Sequence, residues 1–261
     1  MSWAGFKKTV NRTTVQVMMK AGQIEKTSDR DYEVEERRFR TMEAAANKLQ
    51  KEAKGYLDAL RAMTASQMRI AETIDAFYGE AGTRDGVSRS YKMAVEELDA
   101  ETIKALDGPY RTTVLEPISR FCAYFPDINE CIKKRHHKLL DYDQMRAKVK
   151  KLVEKPDKDP GKLPRTEKET QMARDAYEAL NDQLTSEIPQ LIDLRVPYLD
   201  PSFEALVKIQ LRFCAEAYSR MAQVQQYLDP STRDAYAQGH LDQRVEQVLQ
   251  EIRDLSIAGA S

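Results

Sequence analysis

An uninterrupted heptad repeat of apolar residues between positions 39 and 77 constrains the fold of this chain more than any other feature. The steps between apolar positions alternate between three and four residues, and eleven of the twelve positions are apolar. Such spacing is typical of a coiled coil rather than of a single amphipathic helix. The positions are Phe39, Met42, Ala46, Leu49, Ala53, Tyr56, Leu60, Met63, Gln67, Ile70, Ile74 and Phe77. A helix of about 50 residues would be about 75 Å long, which no compact globule requires.

The same periodicity recurs over residues 173–191, 207–228 and 241–255. Between 88 and 154 a helical pattern is interrupted by Pro109, Pro117 and Pro126, and a later set of prolines lies at 189, 197 and 201. Prolines inside a long helix bend it. The sequence therefore predicts an all-α chain with kinks in its second and third long helices. The expected ranges are helices at about 28–78, 88–154 and 167–229, a loop at 155–166, and a C-terminal helical extension at 231–257.

The first 22 residues form a separate amphipathic segment. On a helical wheel, Trp3, Phe6, Val10 and Val17 fall within about 60° of one another. Basic residues cover much of the rest of the wheel, and no acidic residue precedes position 25. This pattern is typical of a helix that lies in a membrane interface. The basic residues that we expect to contact lipid are Lys7, Lys8 and Arg12.

Two other interpretations of this segment stay open. One is an ordinary helix that packs Trp3 and Phe6 on a core. The other is a mitochondrial presequence. Residues 1–20 lack acidic residues, as presequences do, but they hold only one arginine and one serine, whereas presequences are rich in both. Because Gly22 and a polar stretch follow, we expect the segment to be disordered in solution and helical on lipid.

Charge is unevenly distributed although the net charge is only −1. Residues 131–168 hold thirteen Lys and Arg against six Asp and Glu, and residues 1–20 hold four basic residues and no acid. A basic region on an otherwise acidic protein favours an anionic partner. The alternative is a solvated helix face. The basic residues of the candidate surface are Lys133, Lys134, Arg135, Lys138, Lys148 and Lys151, followed by Lys155, Lys158, Lys162 and Arg165 in the proline-rich loop.

Nucleic acid and catalysis are both disfavoured. The basic region has no interleaved aromatic residues for base stacking, and the pI of about 6.4 is low for a nucleic-acid-binding protein. There is no glycine-rich phosphate loop and no metal-binding spacing of His or Cys. His136 and His137 are adjacent and point about 100° apart on a helix, so they cannot share a metal. The sequence predicts no enzyme activity, no cofactor, no metal and no nucleic-acid partner.

Two stretches resemble a known family. FPDINECIKKRHHKLLDYD, residues 125–143, is similar to the signature of the BAR domains of amphiphysin and endophilin, where a basic run precedes a K-L-x-D-Y-D element. IPQLIDLRVPYLDPSFEAL, residues 188–206, resembles the amphiphysin segment with an R-x-P kink in the third helix. With the N-terminal amphipathic segment, the chain resembles an N-BAR domain over nearly its whole length, closest to the fungal amphiphysin-like branch.

The resemblance implies a fold and a mode of membrane binding. Family members are three-helix antiparallel coiled coils that dimerise into a crescent of six helices, with a BAR domain here at 23–257. Carried over by position, Lys133, Lys134, Arg135 and Lys138 would lie on the concave face, and residues 155–166 would form the tip loop. Family members often have further basic residues where this chain has His136 and His137.

The resemblance also implies partners and a location. The dimer interface is expected near the second-helix kink, at Phe121, Tyr124 and Phe125. The chain is expected to bind and bend or sense curved anionic membranes in endocytosis and cortical actin remodelling, as a cytoplasmic protein peripheral to the plasma membrane and cell cortex. No Src-homology-3 domain follows Leu255, so we expect a homodimer or a heterodimer with a sibling BAR protein that carries one. The alternative is a soluble coiled-coil adaptor that does not bind membranes.

Overall fold

The computed structural model describes residues 3–22, 24–101 and 106–255, without the side chains of residues 3–9, 11, 20 and 81–85. Within these ranges all regular structure is helical. The helices are α1 Trp3–Lys20, α2 Arg30–Asp85, α3 Val87–Glu101, α4 Gly108–Tyr110, α5 Glu116–Cys122, α6 Phe125–Glu154, α7 Lys162–Gln225, α8 Pro230–Ala237 and α9 Leu241–Arg253, with a π-helical turn at Arg111–Leu115 between α4 and α5.

Local chemistry explains where these helices begin and break. The Asp29 carboxylate accepts a hydrogen bond of 3.1 Å from the backbone N–H of Tyr32 and so caps the start of α2. Gly79 interrupts the backbone of α2 with a positive φ of 51°, which glycine adopts without steric cost. Pro109, Pro117 and Pro126 each lie in the first turn of a short or long helix. A missing N–H is harmless there because the first turn has no intrahelical acceptor.

Prolines have different effects in the two long segments where we expected kinks. The segment 88–154 is divided into α3, α4, α5 and α6, with a turn between α5 and α6. In contrast, α7 continues for 64 residues through Pro189, Pro197 and Pro201. The third helix therefore does not end at its prolines.

The chain divides into two compact units. Unit 1 comprises residues 1–53 and 114–203, and unit 2 comprises residues 54–113 and 204–261. The long helices α2 and α7 each contribute residues to both units.

Unit 1 has an aromatic core. The ring of Phe125 meets the rings of Phe39 and Phe121 edge to face, with centroids 5.9 Å and 5.4 Å apart. This arrangement is favoured by the quadrupoles of the rings. Phe121 and Phe125 were expected at the dimer interface, and this expectation is wrong because both are buried in the core of their own chain. Tyr124, the third expected residue, is exposed.

Unit 2 has a smaller core and leaves large apolar side chains exposed. Leu57, Leu60 and Val95 are among its buried residues. On α2, however, one row of the heptad repeat faces solvent, and α7 has a similar row. The exposed residues are Met63, Ile70 and Phe77 on α2, and Leu211 and Tyr218 on α7.

Candidate membrane-binding surface

Helix α6 exposes Lys134, Lys138, Lys148 and Lys151, which the sequence predicted on a basic surface, and also Lys150. Lys133 is exposed as well, but its Nζ lies 3.4 Å from a carboxylate oxygen of Glu130, one turn earlier. An exposed pair of this kind is weak, so it leaves Lys133 available to another anion.

Arg135 does not belong to this surface. Its residue is only 5% exposed, and its guanidinium points into unit 1. Nε and Nη2 donate hydrogen bonds of 3.0 Å and 2.7 Å to Oδ1 of Asn181, and Nη2 donates another of 3.1 Å to the hydroxyl of Tyr177. The expectation that Arg135 binds membranes is therefore wrong, because its donors are used inside the fold.

The surroundings of Arg135 explain how a cation is tolerated in the interior. The guanidinium carbon lies 3.6 Å from the centroid of the Tyr32 ring, close enough for a cation–π interaction. A carboxylate oxygen of Asp29 lies 4.0 Å from Nη2 and accepts a hydrogen bond of 2.6 Å from the Asn181 amide. Arg135 thus joins α6 to α7 and to the start of α2.

The basic residues of the 155–166 region fall into two groups. Lys155 and Lys158 are exposed in the loop between α6 and α7, and the described part of the chain offers them no acidic partner. Lys162 and Arg165 instead belong to the first turn of α7, where they form ion pairs with Asp157 and Asp159. These pairs close the loop, but both are exposed, so Lys162 and Arg165 stay available to another anion as Lys133 does.

Helix α1 packs against α6. The Arg12 guanidinium donates two hydrogen bonds, of 2.9 Å and 2.7 Å, to the two carboxylate oxygens of Asp141. Val15 is buried with Ile24 and Leu140. One expectation is corrected by these contacts: Arg12 is bound to a carboxylate of its own chain rather than free for lipid. Residues 3–20 are helical in the structure, and their disorder in the absence of lipid stays a prediction.

Of the other N-terminal residues that we expected to contact lipid, the structure describes the side chains of two. Val10 and Val17 are exposed, as a lipid-contacting edge requires. The side chains of Trp3, Phe6, Lys7 and Lys8 lie outside the described residues.

The two histidines of the basic run border α1. The Nε2 atom of His136 lies 3.1 Å from the side-chain nitrogen of Gln16. Partial burial and the charge of Arg135 lower the pKa of His136, and partial burial and the charge of Arg12 lower the pKa of His137. Both rings are therefore neutral at pH 7, and they add no charge to the surface under those conditions.

The described residues also lack two kinds of functional feature. Among the residues that the structure describes, no cluster of His, Cys, Asp or Glu has the geometry to hold a metal ion. No helix in the described ranges combines the length and the apolar character needed to cross a bilayer.

Comparison with known proteins assigns the family. The family model of the BAR domain matches residues 6–230. The chain is 72% identical over 259 residues to Protein hob3 of Schizosaccharomyces pombe, covering 99% of this chain and 98% of that protein. It is 56% identical to the Regulator of cytoskeleton and endocytosis RVS161 of Candida albicans, covering 98% of each. The chain belongs to the BAR family. Its fold matches the solved amphiphysin BAR domain from Drosophila with a TM-score of 0.63 and 25% identity, covering 77% of this chain and 94% of that one.

The stretch that resembles the BAR signature has an internal role in this member. Asp143 is fully buried and accepts hydrogen bonds of 3.2 Å and 2.5 Å from the backbone N–H and the hydroxyl of Thr27. The Tyr142 ring stacks on Tyr177 with centroids 6.1 Å apart and planes 6° apart. Asp141 holds α1, as described above. The element L-D-Y-D therefore fixes the N-terminal segments on α6, whereas the lysines before it carry the exposed charge.

Proposed function

We propose that this BAR protein binds curved anionic membranes through the exposed lysines of α6 and the following loop, and acts as a dimeric scaffold in endocytosis and at the cell cortex. The observation that supports this most is the row of exposed lysines Lys134, Lys138, Lys148 and Lys151, continued by Lys155 and Lys158. The similarity to a protein named as a regulator of cytoskeleton and endocytosis supports the cellular role and a location at the plasma membrane.

The physical basis is charge held on a rigid helix. Near an anionic leaflet each Lys or Arg contributes about 1 kcal/mol, but only within a Debye length of about 8 Å. A flat bilayer can approach only some of the charges on a rigid curved scaffold, whereas a bilayer of matching curvature approaches more of them. Two copies in one dimer increase the effective affinity without new contacts. Curvature preference thus follows from rigidity together with charge placement.

The dimer contact is proposed in unit 2. Exposed apolar residues seven positions apart form a coiled-coil seam that lacks a partner within its own chain. Ile70 and Phe77 on α2 and Leu211 and Tyr218 on α7 have this spacing and exposure. The partner is a second copy or a sibling BAR protein with a Src-homology-3 domain. An obligate interface would bury more than about 2,000 Å².

Cosedimentation with vesicles tests the membrane contact. Lys134→Glu, Lys138→Glu and Lys148→Glu together should abolish pelleting with phosphatidylserine vesicles, because the surface would gain three negative charges in place of three positive ones. The matched control reverses Lys48, Lys51 and Lys54, which are exposed on α2, a helix that holds ten basic and eleven acidic residues. It changes the net charge by the same amount and should leave pelleting nearly unchanged. Full pelleting of the first variant would contradict the proposal, and no pelleting of the unmodified protein would favour a soluble adaptor.

A further inference from the structure

The C-terminal helix α9 has an apolar face that the described part of the chain leaves exposed. None of the residues of α9 is buried, and Val245, Val248 and Ile252 are each about half exposed. At about 100° per residue the apolar side chains of this segment occupy an arc of about 120°, and the rest of the helix is polar. The apolar residues that follow one another at alternating steps of four and three are Leu241, Val245, Val248, Ile252 and Leu255.

The charge of this segment disfavours an anionic membrane as the partner of its apolar face. Residues 241–255 hold four acidic residues and two arginines. Amphipathic helices that bind anionic lipid carry an excess of Lys and Arg on their polar side instead. The spacing of the apolar residues is that of a coiled coil, so another helix with the same spacing fits this face better.

The charged residues beside the apolar face indicate which helix that is. Arg244 and Glu251 both occupy heptad position g, directly before the core residues Val245 and Ile252. When two copies of α9 pair antiparallel, their g positions face each other, so Arg244 of each copy meets Glu251 of the other. A parallel pair would place Arg244 beside Leu249 and would form neither ion pair. The charge pattern of α9 is therefore complementary to an antiparallel second copy of itself.

The local structure of α9 leaves both charges available for such a pair. The Arg244 guanidinium donates hydrogen bonds of 2.8 Å and 3.3 Å through Nη1 to the hydroxyls of Thr232 and Ser231 on α8. These partners are neutral hydroxyls rather than carboxylates, so they orient the side chain without neutralising it. Glu251 is exposed.

We propose that α9 is an assembly contact, through which copies of this chain in neighbouring dimers pair antiparallel. The dimer contact proposed above uses other residues, on α2 and α7. A helix of 13 residues forms only a weak pair by itself. Copies gathered on one bilayer meet at a high effective concentration, so the contact forms where the scaffold accumulates. This inference rests on the proposed function as a membrane-bound dimeric scaffold.

Disulfide formation on the full-length chain tests the pairing. In the antiparallel register Leu241 lies opposite Ile252 of the other copy, whereas the two positions of one copy are about 16 Å apart along the helix. The double variant Leu241→Cys with Ile252→Cys should therefore crosslink on phosphatidylserine vesicles, and neither single variant should. All three carry Cys214→Ser, which removes an exposed native cysteine.

The size of the crosslinked product shows which copies have paired. After the lipid is replaced by detergent, light scattering should find crosslinked particles larger than one dimer. Crosslinked particles no larger than a dimer would place the pairing inside the dimer and overturn the proposal. Crosslinking of the single variant Ile252→Cys would indicate a parallel pair and would overturn it as well.

A charge exchange in the double-cysteine chain tests the recognition. Arg244→Glu places a carboxylate opposite Glu251 twice in each pair, and should lower the crosslinking yield at least about fivefold. Arg244→Glu with Glu251→Arg reverses the order of the charges and should recover most of the yield. The matched control Arg253→Glu makes the same charge change at a residue that pairs with Glu246 of its own helix, and should have little effect. Failure of the reversed pair to recover would contradict the assigned partner.

Pelleting with the same vesicles separates this inference from the proposed function. A chain that pellets fully without crosslinking would overturn the α9 contact and leave the proposed function standing. If the chain does not pellet, the proposed function is contradicted, and crosslinking is then followed in solution as the protein concentration rises. Failure to crosslink there would overturn the contact too. Protection of α9 from hydrogen exchange on vesicles without crosslinking would assign its apolar face to lipid instead.

Discussion

The two units of the chain differ in how completely their aromatic and heptad residues are buried. In unit 1, Phe39, Phe121 and Phe125 pack against one another and are almost completely buried. In unit 2, Phe77 is 87% exposed, and Ile70 on the same row is also exposed. Unit 1 therefore closes an aromatic core within one chain, although it also exposes Leu194 and Phe203 on α7, whereas unit 2 exposes apolar residues at seven-residue spacing on two helices. The difference supports the dimer contact proposed in unit 2.

The basic residues follow the same division. The exposed lysines of the candidate membrane-binding surface, from Lys133 to Lys158, all lie in unit 1. The buried network around Arg135 also lies there and holds α2, α6 and α7 together. In the proposed function, unit 1 supports the surface charge and unit 2 supplies the dimer contact that doubles it. The contrast between the two units can be tested by changing a phenylalanine in each of them.

The largest effect is expected from Phe125→Ala. Removal of a buried aromatic ring should lower the free energy of unfolding by about 3–5 kcal/mol, because the transfer energy is lost and a cavity remains. Phe77→Ala removes the same ring from an exposed position, so it should weaken self-association without opening a cavity. Urea unfolding at two protein concentrations separates them: the loss for Phe125→Ala should be similar at both, and that for Phe77→Ala should depend on concentration. Equal losses would contradict the contrast between the units.

The next largest effect concerns association through unit 2. Ile70→Asp with Leu211→Asp places charges on the exposed rows of α2 and α7, and should raise the dimer dissociation constant at least about a hundredfold, which is about 3 kcal/mol. The circular dichroism spectrum of the dissociated chain should remain helical, since neither side chain is buried in the chain itself. Light scattering provides the measurement. A double variant that stays a dimer at low micromolar concentration would move the interface elsewhere.

A smaller effect is expected at Arg135, and it should separate stability from membrane binding. Arg135→Leu leaves Asn181 and Tyr177 without their buried donor and should cost about 2 kcal/mol of unfolding free energy. Its exposed neighbour provides the control: Lys134→Leu should hardly change stability but should weaken pelleting with anionic vesicles. Thermal unfolding and cosedimentation of both variants give the answer. The assignment fails if Arg135→Leu is as stable as the unmodified protein.

Sequence periodicity predicted the long helices but not which chain covers each row of apolar residues. On α2, Phe39 and Ala46 of one row are buried, whereas Met63 and Ile70 of the other are exposed. A heptad repeat looks the same whether its partner helix belongs to the same chain or to another. The prediction that Phe121 and Phe125 lie between chains rested on their position near the second-helix kink, which likewise does not show which chain covers a residue.

For the candidate site, one feature could have been predicted from the sequence but was missed, and another could not be predicted from it. Arg135 continues the apolar spacing of Ile128, Ile132 and Leu139, and this position in the stripe could have indicated burial. The pairing of Arg12 with Asp141 joins residues 129 positions apart. No local pattern reports such a contact, so the docking of α1 became visible only in three dimensions.

The smallest expected effect is a dependence of stability on pH, which arises from His136 and His137 in unit 1. His136 faces Arg135, Lys26 and Glu36, and partial burial and Arg135 lower its pKa in the folded chain. Between the unfolded pKa of about 6.5 and the lower folded value, the unfolded chain binds more protons. Stability should therefore fall slightly as the pH drops below about 6.5.

His137 should act in the same direction. Partial burial, Arg12, His136 and Lys133 lower its pKa, opposed by Asp141. Protonation of both rings adds positive charge beside Arg12, so it should loosen α1 and at the same time strengthen attraction to anionic vesicles. Hydrogen exchange of residues 14–19 and cosedimentation, each at pH 7.5 and 5.5, measure the two responses. The variant His136→Asn with His137→Asn keeps polar side chains that do not titrate. Its pelleting and α1 protection should change less with pH than those of the unmodified protein, and an unchanged pH dependence would assign the response to other groups.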